Sequence, residues 1–347
     1  MKYALYATSE SVISAMHKAV LSASSSIYWE TFIFRNDTFP TYDFFSIFKE
    51  KARSGVKVIL IIDGFGGFWY EFGKGLEDEL TAAGVEVLFF RSWFRRIHRK
   101  ILIIDEKRAF IGGVNVAQQY RKWLDLHLFL TGRHIVQSLL RSFTRSYQLC
   151  GGTDKRLLSL PPLQPIKKGK LWLLEHWPHA DKLLLRRHYI EKIDASRKQL
   201  ILVTPYFYPS SWLVGSLEKA LARGVVVDVL LPRRTEASFS TFANHVFVKL
   251  LENSGINFYW SPTMMHAKAL LIDDEEGMVG SNNIDQLSFD WNAEAGIFFR
   301  RKDMVRDLAT IIAGWKKEAT IYNSHHELWK WYHLPFAWLV RLLSPVI

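Results

Sequence analysis

The stretch IHRKILIID at residues 97–105 returns as MHAKALLIDD at 265–274. Each copy sets a histidine two residues ahead of a lysine and seven ahead of an aspartate, with an apolar run before the aspartate. Side chains alternate between faces in an extended chain. His98 is therefore predicted to share a face with Lys100, and His266 with Lys268.

The match extends beyond these residues. GGVN ends at Asn115 and GSNN at Asn283, each 17 residues after its histidine, and Asp125 and Glu294 follow at 27 and 28. Gly112 and Gly280 are 168 residues apart, like the histidines, and Gly55 and Gly224 are 169 apart. So little drift over such a distance indicates a duplicated unit.

Strand-like and helix-like stretches alternate within each unit. SIYWETFIF (26–34), VKVILIID (56–63), VEVLFF (85–90) and KILIID (100–105) read as buried strands. QLILVTPYF (199–207), VVVDVLLP (225–232), INFYW (256–260) and KALLID (268–273) replay them. YDFFSIFKEKARSG (42–55) and EKALARG (218–224) read as helices stopped by glycine. This order predicts an α/β fold, a sheet with helices on both faces, made twice. The boundaries read as a first repeat over 1–150, a Gly-, Pro- and Lys-rich linker over 151–170, a second repeat over 171–323 and a tail over 324–347.

With 347 residues, 49% of them hydrophobic, the chain has the composition of a folded globular protein. A net charge of +11 calls for a polyanionic partner: nucleic acid, an anionic lipid surface or a phosphorylated small molecule. The lone Cys150 excludes an intrachain disulfide and any multi-cysteine metal site. No segment reaches the roughly 18 to 20 apolar residues that span a bilayer, so a membrane partner is expected to be met at its surface.

Two imidazoles and two ammonium groups brought together form a metal-free kit for phosphodiester chemistry. One imidazole attacks phosphorus, the other protonates the leaving alkoxide, and the lysines hold the non-bridging oxygens. A carboxylate on the far ring nitrogen fixes the tautomer, and Asp125 and Glu294 are the candidates. Asp105 and Asp273, closing apolar strands, take either structural places or supporting places in the site. A single histidine on an apolar strand is more often a packed core residue. Two copies in register, each with asparagine and carboxylate, favour chemistry. His176, His179, His188, His245, His325 and His326 lack a recurring context and read as ordinary.

HRKILIID with GGVN, and HAKALLID with GSNN, resemble the phospholipase D superfamily over nearly the whole chain. The resemblance implies two tandem α/β/α sandwich repeats, mixed sheets flanked by helices, related by a pseudo-twofold. It also implies a site of His98, Lys100, Asn115, His266, Lys268 and Asn283, with one histidine becoming phosphohistidine and the other acting as acid and then base; His98 is taken as the nucleophile. ETFIFRND (30–37), TPYFYP (204–209) and NNIDQLSFDWNAEAGIFF (282–299) look most like bacterial cardiolipin synthases, which join two phosphatidylglycerols and release glycerol.

That resemblance implies no metal or organic cofactor, anionic phospholipids (phosphatidylglycerol, cardiolipin) and a membrane surface as partners, no nucleic acid, and a peripheral place on the cytoplasmic face of a bacterial membrane. Glu30, Arg96, Arg99, Tyr206 and Trp93 are its candidate substrate-binding residues. Arg91, Arg95, Arg96 and Arg99 surround His98 beside Trp93 and Phe94, a basic cluster fit to attract anionic lipid. GFGGFWYEFG (64–73) reads as an aromatic lip, and HHELWKWYHLPFAWLVRLLSPVI (325–347) as an amphipathic interfacial tail. A lipid hydrolase, a nuclease and a non-catalytic binding module are the rival readings.

Overall fold

The apolar runs anticipated above become the inner strands of two sheets. The computed structural model describes residues 1–69, 72, 74–163, 169–177 and 184–323. In the first half, β1 (Tyr3–Thr8), β2 (Ser26–Thr31), β3 (Lys57–Asp63), β4 (Glu86–Phe90), β5 (Ile101–Ile104), β6 (Arg108–Gly112) and β7 (Leu124–Thr131) form one sheet. Its order is β1-β7-β6-β5-β2-β3-β4. The second half supplies β8 (Leu171–His176), β9 (Gln199–Val203), β10 (Val226–Pro232), β11 (Asn257–Ser261), β12 (Ala269–Ile272), β13 (Glu276–Gly280), β14 (Glu294–Phe299) and β15 (Thr320–Ile321). Its order, β8-β14-β13-β12-β9-β10-β11, repeats the first strand for strand, with β15 added beyond β11. β2, β3 and β4 are parallel to one another, as are β9, β10 and β11, and the remaining pairs are antiparallel.

The helices are α1 (Ser9–Leu21), α2 (Phe44–Arg53), α3 (Gly64–Trp69), α4 (Lys74–Ala82), α5 (Arg133–Leu149), α6 (Lys155–Leu158), α7 (Leu184–Ala195), α8 (Ser211–Ala222), α9 (Ser238–Leu250) and α10 (Lys302–Glu318). Three apolar layers hold the sheets. Val12, Ile13 and Phe48 cover Ile27, Trp29 and Leu102 on the outer face of the first sheet. Tyr189, Leu217 and Val246 cover Leu200, Val229 and Leu270 on that of the second. Between the sheets, Tyr28, Ile101 and Ile103 meet Ile201, Leu271 and Ile297 around Leu139 and Phe143 of α5 and Leu308 and Ile312 of α10. Neither half could expose that shared layer cheaply, at roughly 25 cal/mol per Å² of apolar surface, so the repeats are one folding body.

The matched glycines act where the repeat predicted. Gly55 and Gly224 follow α2 and α8 with φ of 89° and 84°, a left-handed stop that a side chain would strain. The edge strands β1 and β8 were not anticipated: YALYAT is only half-buried, and LWLLEH directly follows the Pro- and Lys-rich stretch. Within that stretch Arg156 of α6 bonds the Tyr28 hydroxyl and Glu106, and Asp154 pairs with Lys57, so its first part is anchored on the first sheet. Among the described residues no helix is long and apolar enough to cross a membrane. The tail read over 324–347 and part of the aromatic lip lie outside the described residues.

Candidate active site

His98, Arg99 and Lys100 sit in extended chain just ahead of β5, and His266 and Lys268 just ahead of β12. Alternation puts each histidine on the same face as its lysine, and the lysine folds back: Lys100 Nζ donates to the His98 carbonyl at 2.6 Å and Lys268 Nζ to that of His266 at 2.5 Å. Lys268 Nζ also lies 2.7 Å from His266 Nε2.

Two parallel bridges join the halves at this point, Ile97 with Ala293 and Leu124 with Met265. The His98 amide donates to the Ala293 carbonyl at 3.0 Å, and the His266 amide to that of Leu124 at 2.7 Å. The carboxylates are consequently exchanged between repeats. His98 Nδ1 lies 3.0 Å from Glu294 of the second repeat, and His266 Nδ1 lies 2.7 Å from Asp125 of the first. Since a carboxylate only accepts, both Nδ1 atoms carry the proton and both Nε2 atoms present a lone pair. Neither half supplies the carboxylate partner of its own histidine.

The two copies differ in how the carboxylate is seated. Ser281 Oγ donates to Glu294. Its counterpart is Gly113, where a Cβ would stand 2.3 Å from Asp125 Oδ1. Asn115 Oδ1 accepts the Ile33 amide at 3.3 Å, whereas Asn283 Oδ1 is buried with no hydrogen-bond partner among the described residues. Phe32 stands edge-on to His98 at 5.3 Å and lies 5.4 Å from the Lys100 ammonium.

Burial lowers His98 to a pKa of about 4, with the Lys100 charge adding to the effect and that of Lys268 contributing. Burial and the facing Lys268 bring Lys100 down to about 7, and burial brings Lys268 to about 8. His266 is lowered by burial and then by Lys268. Burial works to raise Asp125 and Glu294, but His266 and His98 respectively hold them below the usual carboxylate range. Two neutral imidazoles beside strained ammonium groups describe a site short of a negative charge.

Arg99 and Glu30 correct the sequence reading. The alternation that puts His98 and Lys100 together sends Arg99 to the opposite face. There its guanidinium grips Glu30 at 2.7 and 3.0 Å, reaches Glu175 at 3.4 Å and donates to Ser146 Oγ and the Ser142 carbonyl. Both residues are wholly buried in the layer between the sheets, away from any substrate.

Asp105 and Asp273 are also remote, about 17 Å along the strand from the lysines at 3.3 Å per residue. Each turns its hairpin with a φ of 53° and accepts backbone amides, Ser24 to Ser26 for Asp105 and Arg197 to Gln199 for Asp273. Their recurrence reflects the repeated turn.

Arg96, two residues before His98, stands 4.1 Å over the Phe65 ring, with its Nη1 donating to the Ser92 and Arg95 carbonyls. Trp93 is 91% exposed. Tyr206 donates its hydroxyl to Glu236, whose charge reaches His266 and Lys268. Sequence reasoning missed Glu236, and also Asp63, which accepts the Ile97 amide at 2.7 Å and so fixes the backbone entering His98. An aspartate closing a buried strand just before GFGG was the available signal.

A family model described as "Cardiolipin synthase, PLD-like domain" matches residues 16–147 and 189–315. The chain belongs to this phospholipase D-like family. Cardiolipin synthase 2 of Bacillus cereus is 27% identical over 346 residues, covering 94% of this chain and 66% of that protein. Cardiolipin synthase 2 of Bacillus anthracis is 29% identical over 308 residues, covering 82% and 59%. Cardiolipin synthase A of Pseudomonas syringae is 27% identical over 366 residues, covering 100% and 75%. The chain thus spans about two-thirds or less of the length of the two Bacillus relatives. Among solved structures, the phosphatidylserine synthase of Haemophilus influenzae Rd KW20 superposes with a TM-score of 0.77 at 14% identity, covering 99% of this chain and 95% of that one. That likeness shows the two-repeat fold.

Proposed function

We propose that the protein is a phosphatidyltransferase that joins two phosphatidylglycerols into cardiolipin and releases glycerol, acting at the cytoplasmic face of a bacterial membrane. The observation that carries the reading is the exchanged pairing of His98 with Glu294 and His266 with Asp125 over two buried lysines. His98 Nε2 attacks the phosphorus of the first lipid. The P–O bond to its glycerol breaks, and His266, which has taken a proton from solvent at Nε2 as the phosphodiester binds, gives that proton to the leaving oxygen. The phosphatidyl group is then held as a phosphoramidate on His98. His266 next accepts the proton of the second lipid's glycerol hydroxyl, that oxygen attacks phosphorus, and His98 leaves.

His98 is favoured as nucleophile because Lys268 already occupies Nε2 of His266, while His98 Nε2 has no hydrogen-bond partner among the described residues. A bound phosphodiester draws both ammonium groups onto its non-bridging oxygens, which frees His266 and raises its affinity for a proton.

Incubation of the pure protein with phosphatidylglycerol vesicles is expected to yield cardiolipin and free glycerol in equal amounts. Phosphatidic acid in place of cardiolipin would make it a hydrolase. Cleavage of single-stranded DNA, lost in His98→Ala, would make it a nuclease.

The pH dependence follows from the site. His98, lowered to about 4, must be neutral, so kcat/KM for the transfer rises through that pH. Lys100 at about 7 and Lys268 at about 8 must be charged, and His266, lowered by burial, must carry the proton it gives the leaving oxygen, so it falls toward and above neutrality. A profile flat from pH 6 to 9 would remove both the lysine charges and the His266 acid from the mechanism.

A further inference from the structure

Exposed aromatic rings gather at one end of this protein. Among the described residues, the Phe and Trp standing in solvent are Phe39, Phe65, Trp93, Phe94, Phe239 and Trp291; the other exposed large apolar residues are all aliphatic. Phe39 lies between β2 and α2, Phe65 directly follows β3, and Trp93 and Phe94 lie between β4 and His98. Phe239 lies in the first turn of α9 beyond β10, and Trp291 precedes Glu294. These positions all flank the histidine-bearing end of the two sheets. By contrast Val226 opens β10 and Leu250 closes α9, at the opposite end.

The same loops carry exposed arginines, Arg91 and Arg95 beside Trp93, and Arg233 and Arg234 before Phe239. Of their acidic residues, Asp37 pairs with Arg35, and Glu236 accepts from Tyr206. The Trp93–Phe94 tip is 91% and 76% exposed. Its base is tied by Arg96 to Ser92 and by the Ile97 amide to Asp63, so the rings are presented outward on a held loop. Rings alternating with guanidinium groups match the headgroup level of an anionic bilayer. A polyanion without rings of its own would use the arginines and leave the aromatic groups in water, and a single-stranded nucleic acid, which could stack on them, is an outcome of the test.

We propose that this rim, contributed by both repeats, docks on an anionic phospholipid bilayer with the Trp93–Phe94 tip entering it, so that the mouth of the site opens onto the headgroups. The inference rests on the phosphatidyl-transfer reading for its purpose, though not for its geometry.

The test uses the full chain, vesicles of phosphatidylcholine with 30% phosphatidylglycerol by choice of composition (about a third anionic, ample for electrostatic attraction), and monomeric short-chain phosphatidylglycerol. Trp93 emission is expected to be quenched by brominated acyl chains, with the quenched part missing in Trp93→Phe. Phe94→Ser with Phe239→Ser is expected to weaken vesicle binding about tenfold or more while turnover of the monomeric lipid stays at the parent's level. Unchanged vesicle binding in the double variant, or absence of quenching, overturns the rim. So does a parent that ignores vesicles and binds a single-stranded oligonucleotide through the same two rings. Vesicle binding that depends on the rings without any turnover of monomeric lipid keeps the rim and overturns the transferase reading.

Discussion

His98→Ala is expected to abolish turnover, by about six orders of magnitude as for other covalent nucleophiles, and to leave no phosphate on the protein. His266→Ala behaves differently, and the difference tests the roles. A nitrophenyl phosphodiester has a leaving group that departs without a proton, so the acid, worth about 10² to 10⁴ on an ordinary alkoxide, is dispensable for the first step. His266→Ala should therefore release about one nitrophenolate per protein molecule and stop, because the base that activates the acceptor is gone. His98→Ala should release none. Quenched-flow measurement of the nitrophenolate burst, with mass spectrometry of the protein, reads both. A burst from His98→Ala and none from His266→Ala would exchange the two assignments.

Much of this site was legible because the chain states it twice. The spacing from His98 to Lys100, Asn115 and Asp125 has its double from His266 to Lys268, Asn283 and Glu294, and the strand order repeats with it. The exchange of partners, Glu294 to His98 and Asp125 to His266, was not legible. Spacing within one copy says nothing about which copy supplies the carboxylate; that depends on the bridges at Ile97 and Leu124. Repetition also misled where it reported structure. Asp105 and Asp273 recur with the motif because both hairpins need the same turn, their carboxylates tying down the neighbouring strand ends. Glu236 has no double, and so carried no such signal.

Arg99 shows how one rule, applied to its end, separates catalysis from stability. The alternation used to pair His98 with Lys100 already turned Arg99 inward. Its guanidinium meets Glu30 on β2, Glu175 on β8, two groups of α5 and the Trp177 ring at 5.0 Å, and so ties the first sheet to the first strand of the second. In the second repeat the same position is Ala267, so the tie exists once. Arg99→Met leaves Glu30 buried without its cation, while Glu175 keeps Arg145 at 2.7 Å, and is expected to cost about 3 to 5 kcal/mol of unfolding free energy. Replacing Glu30 by glutamine in the same chain removes the stranded charge, and should return most of that loss. Urea unfolding of the three proteins measures both values. A single variant as stable as the parent would mean that water or a neighbouring cation takes over from Arg99. A double variant no better than the single one would mean that packing of the arginine stem, rather than its charge, holds the sheets together.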